Sequence, residues 1–76
     1  MFGMMAEIVL ETLTSEAGDE RVLIVRRADG NYSYRRQWYF EGGWTAGTLD
    51  IGIYDSADIA EAEARSRVGW LVPAFH

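Results

Sequence analysis

The chain has 76 residues, a net charge of −5 and 49% hydrophobic residues, with no cysteine and a single histidine at its last position. A chain of this size forms one domain at most and buries only about 60% of the surface that its unfolded form exposes. The composition excludes a disulfide framework, a cysteine–histidine metal site and a long apolar membrane span, and the acidic balance disfavours binding to nucleic acid or to an anionic membrane.

The two ends of the chain carry no strong structural pattern. Residues 1–6 have no positive charge and no apolar run long enough for a secretory signal, so we expect them to be disordered and the protein to be cytoplasmic. Pro73 disfavours helical geometry at the residue before it, so residues 72–76 are expected to form an extended tail. Residues 1–76 are therefore expected to form one small domain.

The first part of the chain predicts two strands. Residues 7–14 fit either one or two turns of an amphipathic helix or a strand, and four β-branched residues among them favour the strand. Gly18 and Asp19 predict a turn after that segment. Residues 21–27 form a short aliphatic run with charged ends, which predicts a strand covered on both faces.

A hairpin follows the second strand. Asp29 and Gly30 form a pair that tolerates positive φ and predicts a tight turn. With this turn, Arg27 is expected to lie opposite Tyr32. The next residues alternate, and one face of this third strand is formed by Tyr32, Tyr34, Arg36, Trp38 and Phe40, while the other face is mostly polar.

A glycine-rich loop and a further strand come next. Residues 42–47 carry Trp44 and predict a flexible loop. Residues 49–54 alternate again and predict a strand, in which Gly52 permits close approach of a neighbouring group. One face of that strand is expected to be formed by Leu49, Ile51 and Ile53.

A C-terminal helix is predicted to begin after Asp55 or Ser56, both of which cap helix N termini well. Residues at helical spacing predict the face that packs on the sheet, namely Ala57, Ala60, Ala64 and Val68. The spacing also predicts the solvent-facing ion pairs Glu61–Arg65 and Glu63–Arg67. Gly69 is expected to end the helix. The elements together predict an α+β fold, an antiparallel meander of three or four strands with one C-terminal helix packed on one face.

Three segments of the chain form a recognisable combination: Val-Arg-Arg-Ala-Asp-Gly-Asn-Tyr-Ser-Tyr at 25–34, Gly-Ile-Tyr-Asp-Ser at 52–56 and Arg-Val-Gly-Trp-Leu at 67–71. In these segments, together with Ala60 and Ala64, the chain resembles a family of small uncharacterised bacterial proteins. The resemblance covers residues 21–71 and implies a strand, an Asp-Gly hairpin, a variable loop and a strand-to-helix unit. It supports the fold and implies no activity. Ala57 and Gly69 depart from the pattern, which has a larger aliphatic residue and a proline there.

One functional hypothesis is a nucleic-acid or nucleotide surface on the hairpin, because aromatic side chains on a strand can stack bases while neighbouring arginines hold phosphates. Its candidate residues are Arg35, Arg36, Trp38 and Trp44. The alternative is that the aromatic residues belong to the core and the arginines line the outer face of the sheet. The acidic charge favours this alternative.

Catalysis is a further hypothesis, limited by the residue types present. Without cysteine, lysine or an internal histidine, a small enzyme would depend on carboxylates such as Asp50, in a pocket that also gathers Tyr54 and arginines. Asp55 and Asp58 are better explained as residues of the helix N terminus. We therefore expect no catalytic residue, no metal site and no cofactor.

The third hypothesis is a protein-interaction module, because several large apolar residues exceed what one short helix can cover. The candidate interface residues are Ile59, Trp70, Leu71 and Phe75. They are expected to bury against a second copy of the chain or against an unidentified protein; the alternative is that the tail folds over the sheet edge within one subunit. A small core gains most from association, so we expect a non-catalytic module that forms a homodimer and binds neither nucleic acid nor membrane.

Overall fold

The structure, a computed structural model, describes residues 6–71. In chain order its elements are β1 (Ile8–Thr14), β2 (Glu20–Arg26), β3 (Tyr32–Phe40), β4 (Gly43–Trp44), β5 (Ile51–Tyr54) and α1 (Ala57–Arg67). The strands pair antiparallel in one sheet that curls into a half-barrel, and α1 packs against β2, β3 and β5. The predicted α+β fold is confirmed.

β3 has nine residues and pairs with three other strands. β1, β2 and β3 follow one another as a meander, while β4 and β5 both pair with β3. β5 lies along the first part of β3, at Tyr32 and Tyr34, and β4 lies along its end, at Tyr39 and Phe40. The segment that was ambiguous between helix and strand is the strand β1.

The hydrophobic core lies between α1 and one face of the sheet, which we call the helix face. Its members are Val22, Ile24 and Tyr34 from the sheet, and Ala60, Ala64, Val68 and Leu71 from α1 and the residues after it. The alanines let α1 approach closely, and the ring of Tyr34 fills the space and stacks on Tyr54 at a centroid distance of 6.5 Å. Burial of each valine or isoleucine contributes about 1.5–3 kcal/mol. The predicted packing face of the helix is confirmed.

The opposite face of the sheet, which we call the open face, also contains buried residues. Leu23, Val25 and Ser33 are buried there, so the prediction that the second strand is covered on both faces is confirmed. The side chain of Arg35, the register partner of Leu23, belongs to a chain of ion pairs. This salt-bridge chain runs through Asp29, Arg27, Asp50, Arg35 and Glu7. It ties the hairpin turn to the segments before β5 and β1.

The predicted register of the β2–β3 hairpin is wrong by one residue. Tyr32 lies opposite Arg26, because Arg27 instead closes the turn with Asn31. The Arg27 N–H donates to the Asn31 carbonyl at 2.7 Å, and the Gly30 N–H donates to the Arg27 carbonyl at 2.9 Å. Only Gly30 has a positive φ, of 91°, which is typical of a three-residue loop. Ile24 therefore lies beside Tyr34.

The predicted alternation of residues 49–54 is also wrong, because β5 contains a bulge. Ile51 lies opposite Tyr34 and Tyr54 opposite Tyr32, so two residues of β5 face one residue of β3. Ile51 and Tyr54 both pack against the core, whereas Leu49 and Ile53 are exposed. Gly52 makes the bulge possible with a φ of 72°. As predicted, it permits close approach, since a Cβ there would collide with the Tyr54 phenol.

The ends of α1 agree closely with the sequence. The Ser56 hydroxyl caps the helix by accepting from the Ile59 N–H at 3.2 Å, and the two predicted ion pairs form at 2.8 and 2.9 Å. The chain leaves helical geometry at Val68, with φ −93° and ψ 113°. Gly69 follows without a left-handed conformation. Within residues 6–71 no helix has the length and apolar character that crossing a membrane requires.

Candidate functional site

The four residues of the predicted ligand surface lie on two faces of the sheet. Arg36 and Trp38 occupy the helix face, since their register partners are Val22 and Glu20. Arg35 and Trp44 belong to the open face. The structure brings Arg36 and Trp38 into contact, whereas Arg35 and Trp44 belong to two different groups of contacts.

The arginines of that surface are already engaged by carboxylates. Arg36 Nε donates to Glu20 Oε2 at 2.7 Å, and the Arg36 guanidinium lies 5.5 Å from the Trp38 ring centroid. Arg35 Nε donates to Asp50 Oδ1 at 2.5 Å, and a terminal nitrogen of Arg35 pairs with Glu7. Their positive charge is largely compensated, which leaves little to attract phosphate.

An aromatic cluster on the open face contains residues that the sequence did not single out. The Arg21 guanidinium lies 4.2 Å from the Trp44 ring centroid, and Arg21 Nε donates to Gln37 at 2.7 Å. Tyr39 contacts Trp44 edge-on at 5.4 Å. Among residues 6–71, Arg21 has no carboxylate partner. Only the pairing of β4 with β3 creates this cluster, and no local sequence signal reveals it.

The residues required by the enzyme hypothesis are separated by the sheet. Asp50 takes part in the salt-bridge chain on the open face, whereas Tyr54 packs against the core on the helix face. Within the described part of the chain no group of three or more histidine, aspartate or glutamate residues is arranged to hold a metal ion.

The three described residues of the predicted interface differ in exposure. Ile59 is exposed on α1, and Trp70 is half-buried with its Nε1 atom enclosed and unpaired. Leu71 belongs to the core, with 9% of its surface exposed. The chain folds back after α1, where the Leu71 N–H donates to the Val68 carbonyl at 3.0 Å. Phe75 lies outside the described residues.

The outer edge of β3 is closed between β5 and β4 by two threonines. The Thr48 N–H donates to the Arg36 carbonyl at 2.9 Å, and Thr48 Oγ1 accepts from the Arg36 N–H at 3.0 Å. Thr45 makes the same pair of hydrogen bonds with Trp38, at 2.8 and 3.1 Å. The two threonines act as a substitute strand, so this edge offers no continuous row of free backbone groups.

The outer edge of β1 is free within residues 6–71, since β1 pairs only with β2. Three consecutive aliphatic residues line its first half, and Ile8, Val9 and Leu10 are 45%, 50% and 46% exposed. We call residues 8–10 the β1 patch. The strand contains neither lysine nor proline, the usual protections of an exposed edge, and carries one bulge between Val9 and Glu11. The run of β-branched residues was the available sequence signal.

The second half of β1 offers backbone groups for pairing. The Ser15 N–H donates to the Glu20 carbonyl at 2.8 Å and so points toward β2. Because amides alternate along an antiparallel strand, those of Thr12 and Thr14 point away from β2. A second strand can therefore add to β1 along this edge.

A cavity of about 530 Å³ opens beside this half of β1. It lies between the strand and the chain that follows α1, and we call it the β1 cavity. Its lining residues are Thr12, Leu13, Thr14, Glu16, Arg65, Trp70 and Leu71. Leu13 and Trp70 also pack against the core, so the inner wall of the cavity is apolar.

Two carboxyl groups meet between β1 and α1. A hydrogen bond with Glu61 raises the pKa of Glu11, and burial and the negative charge of Glu61 raise it further. Hydrogen bonds from Arg65 and from Glu11 lower the pKa of Glu61. Of the two groups, Glu11 is therefore the one that binds a proton more readily, while Glu61 is held in its ionised form.

Comparisons of the chain with protein-family models, with curated proteins and with solved structures found no significant match. The resemblance to small bacterial proteins therefore stays a prediction.

Proposed function

We propose that this chain is a non-catalytic self-association module of the cytoplasm, which forms a homodimer by pairing β1 with β1 of a second copy. The observation that carries the proposal is the free edge of β1 with its exposed β1 patch. The other edge of the sheet is formed by the short strands β4 and β5 with two threonine-bonded residues between them, so it is interrupted, and β5 is bulged. Pairing would cover aliphatic side chains and satisfy backbone groups at the same time.

A second copy fits this edge because β1 complements itself. Antiparallel pairing about an axis between Leu10 and Glu11, one residue away from full overlap, places Ile8 opposite Leu13 of the second copy and Val9 opposite Thr12. Ile8 and Leu13 both belong to the helix face, and Val9 and Thr12 both belong to the open face, so the faces match. No glutamate lies opposite another glutamate in this register. The pairing is symmetric, as expected of a twofold dimer.

The β1 patch is small, so the dimer is expected to be weak and reversible, with a dissociation constant in the micromolar range. Two chains that each carry a net charge of −5 repel each other, and salt screens this repulsion. Sedimentation velocity across a micromolar concentration series should show a monomer–dimer equilibrium that shifts toward dimer as ionic strength rises. A single monomer species at every concentration and ionic strength would overturn the proposal.

Val9→Lys tests the edge directly, because it places a charge at the centre of the patch without disturbing the core. We expect the variant to sediment as a folded monomer. Leu49→Lys is the matched control, since Leu49 is 88% exposed and lies away from β1. The control should dimerise like the unmodified chain.

The absence of cysteine from the sequence allows the register to be tested by cross-linking. A mixture of the Val9→Cys and Thr12→Cys variants should form a disulfide-linked dimer under mild oxidation, because these positions face each other across the dimer. In this register two copies of residue 9 are separated by about three residues along the strands, or about 10 Å, which no disulfide spans. Each variant alone should therefore cross-link far less than the mixture.

Nucleotide or single-stranded nucleic-acid binding is a second candidate function, now centred on the open-face cluster. The specific observation is Arg21, which is stacked on Trp44 without a carboxylate partner among residues 6–71. An oligonucleotide titration at low salt, followed by tryptophan fluorescence, tests it. Binding that is lost in Arg21→Ala and kept in Arg67→Ala would support this candidate, and no binding at low salt would contradict it.

A further inference from the structure

We infer that in the dimer Ile8 of each copy inserts into the β1 cavity of the other. This inference rests on the proposed function and adds the side chain and the site that give the pairing its specificity. Edge pairing alone needs only backbone groups and would accept many strands.

The symmetry of the pairing brings the two parts together. The exposed aliphatic residues occupy the first half of β1, and the cavity occupies the second half. A twofold axis reverses one strand relative to the other, so the patch of one copy lies along the cavity of its neighbour. Residues directly opposite each other in such a pair have Cβ atoms about 4.5–5.5 Å apart.

The side-chain directions agree with insertion. Ile8 lies on the helix face, since its register partner is Arg26, and Leu13 lies on the same face beside Val22. Leu13 forms part of the cavity wall, with Trp70 and Leu71. Ile8 of the second copy, placed opposite Leu13, therefore projects toward this wall and not toward the open face.

The chemistry of the cavity suits an aliphatic side chain. Its inner wall is apolar, while its rim carries Thr12, Thr14, Glu16 and Arg65. An isoleucine that is about half exposed in the single chain can bury its remaining apolar surface there. Both copies gain this contact at once, so each substitution at Ile8 removes it twice per dimer.

Ile8→Ala tests the inference. It removes three carbon atoms at each of two sites, and we expect the dimer to weaken about tenfold or more while the fold is unchanged. Leu49→Ala is the control and should leave the dissociation constant unchanged. Equal dissociation constants for Ile8→Ala and the unmodified chain would overturn the inference.

A second readout places the inserted side chain. In a Trp38→Phe/Trp44→Phe background Trp70 is the sole tryptophan, and its emission, excited selectively over tyrosine, should shift to the blue across the dimerisation range as water leaves the cavity. Ile8→Ala in that background should reduce the shift even where sedimentation shows full dimer. If Val9→Cys and Thr12→Cys cross-link but Trp70 emission does not change, β1–β1 pairing is supported and insertion of Ile8 into the β1 cavity is overturned. If no dimer forms, both the pairing and the insertion are overturned.

Discussion

Ser33 is fully buried near the start of β3, on the open face beside Val25, and its hydroxyl has no hydrogen-bond partner. A buried polar group in this state costs about 1–3 kcal/mol. We therefore expect Ser33→Ala to raise the free energy of unfolding by about 1 kcal/mol, measured by urea denaturation. In contrast, Ser15→Ala should lower it, because Ser15 Oγ accepts from the Glu20 N–H at 3.2 Å. A destabilised Ser33→Ala variant would show that the hydroxyl is satisfied.

Glu11 gives the clearest pH dependence at the scale of single residues. Its pKa is raised above the ordinary value of 4.5 by the hydrogen bond with Glu61. A raised pKa in the folded state means that the stabilising contribution of Glu11 is complete below pH 4.5 and is lost as the pH rises through the folded-state pKa. At neutral pH the two carboxylates repel each other.

Glu11→Gln should remove this repulsion and keep a donor toward Glu61 at every pH. We expect the variant to be more stable than the unmodified chain by about 0.5 kcal/mol at pH 7, with the difference shrinking as the pH falls through the folded-state pKa of Glu11 toward 4.5. Thermal unfolding at low protein concentration, over a pH series, measures it. Glu63→Gln is the control and should bring no gain, because Glu63 pairs with Arg67. A pH-independent difference for Glu11→Gln would contradict the raised pKa of Glu11.

At the scale of elements, the β3–β4 hairpin contains a strained turn. Phe40 lies opposite Gly43, so two residues form the turn, and both Glu41 and Gly42 have positive φ, of 50° and 87°. This geometry is typical of a type I′ turn, in which asparagine is strongly preferred at the first position. Glutamate is sterically unfavourable at this position, because in a left-handed conformation its Cβ lies too close to the following carbonyl oxygen.

Glu41→Asn should therefore increase the free energy of unfolding by about 0.5–1 kcal/mol. Chemical denaturation measures the change. Glu41→Gln is the matched control, since it removes the charge and keeps the unfavourable side chain at the same φ. Equal stabilisation by both variants would mean that charge, and not backbone strain, is the cause.

Helix α1 and the hairpins show which elements could be predicted from sequence. The cap at Ser56, the alanine face and the i,i+4 ion pairs depend on neighbours within four residues, and these predictions are confirmed. The register of the β2–β3 hairpin depends on whether Arg27 pairs with Asn31 or with Tyr32. The alternation of residues in the two strands is compatible with either pairing, so the sequence could not decide between them. The bulge at Gly52 depends on the tyrosines of another strand, so local alternation misplaced Leu49 and Ile53.

At the scale of the whole molecule, the candidate surfaces could not be predicted because they depend on long-range pairing. Arg36 and Arg35 are adjacent in sequence, yet the sheet separates their side chains and gives each its own carboxylate partners. Thr45 lies within the segment predicted to be a flexible loop and Thr48 directly after it, but both bind the backbone of β3. The β1 patch becomes recognisable only once the strand order shows that β1 is an edge strand.

Pairing along the outer side of β3 also bears on the stoichiometry of any assembly built by strand addition. A sheet with two long adhesive edges can add a neighbour on each side and polymerise without limit, as fibrils do. Within residues 6–71 the edge opposite β1 is formed by β4 and β5, which have two and four residues and are separated by the segment that the threonines bind to β3. β5 also carries the bulge at Gly52. Short, interrupted and bulged edges resist strand addition, so once β1 is joined to its copy we expect growth to stop at two molecules.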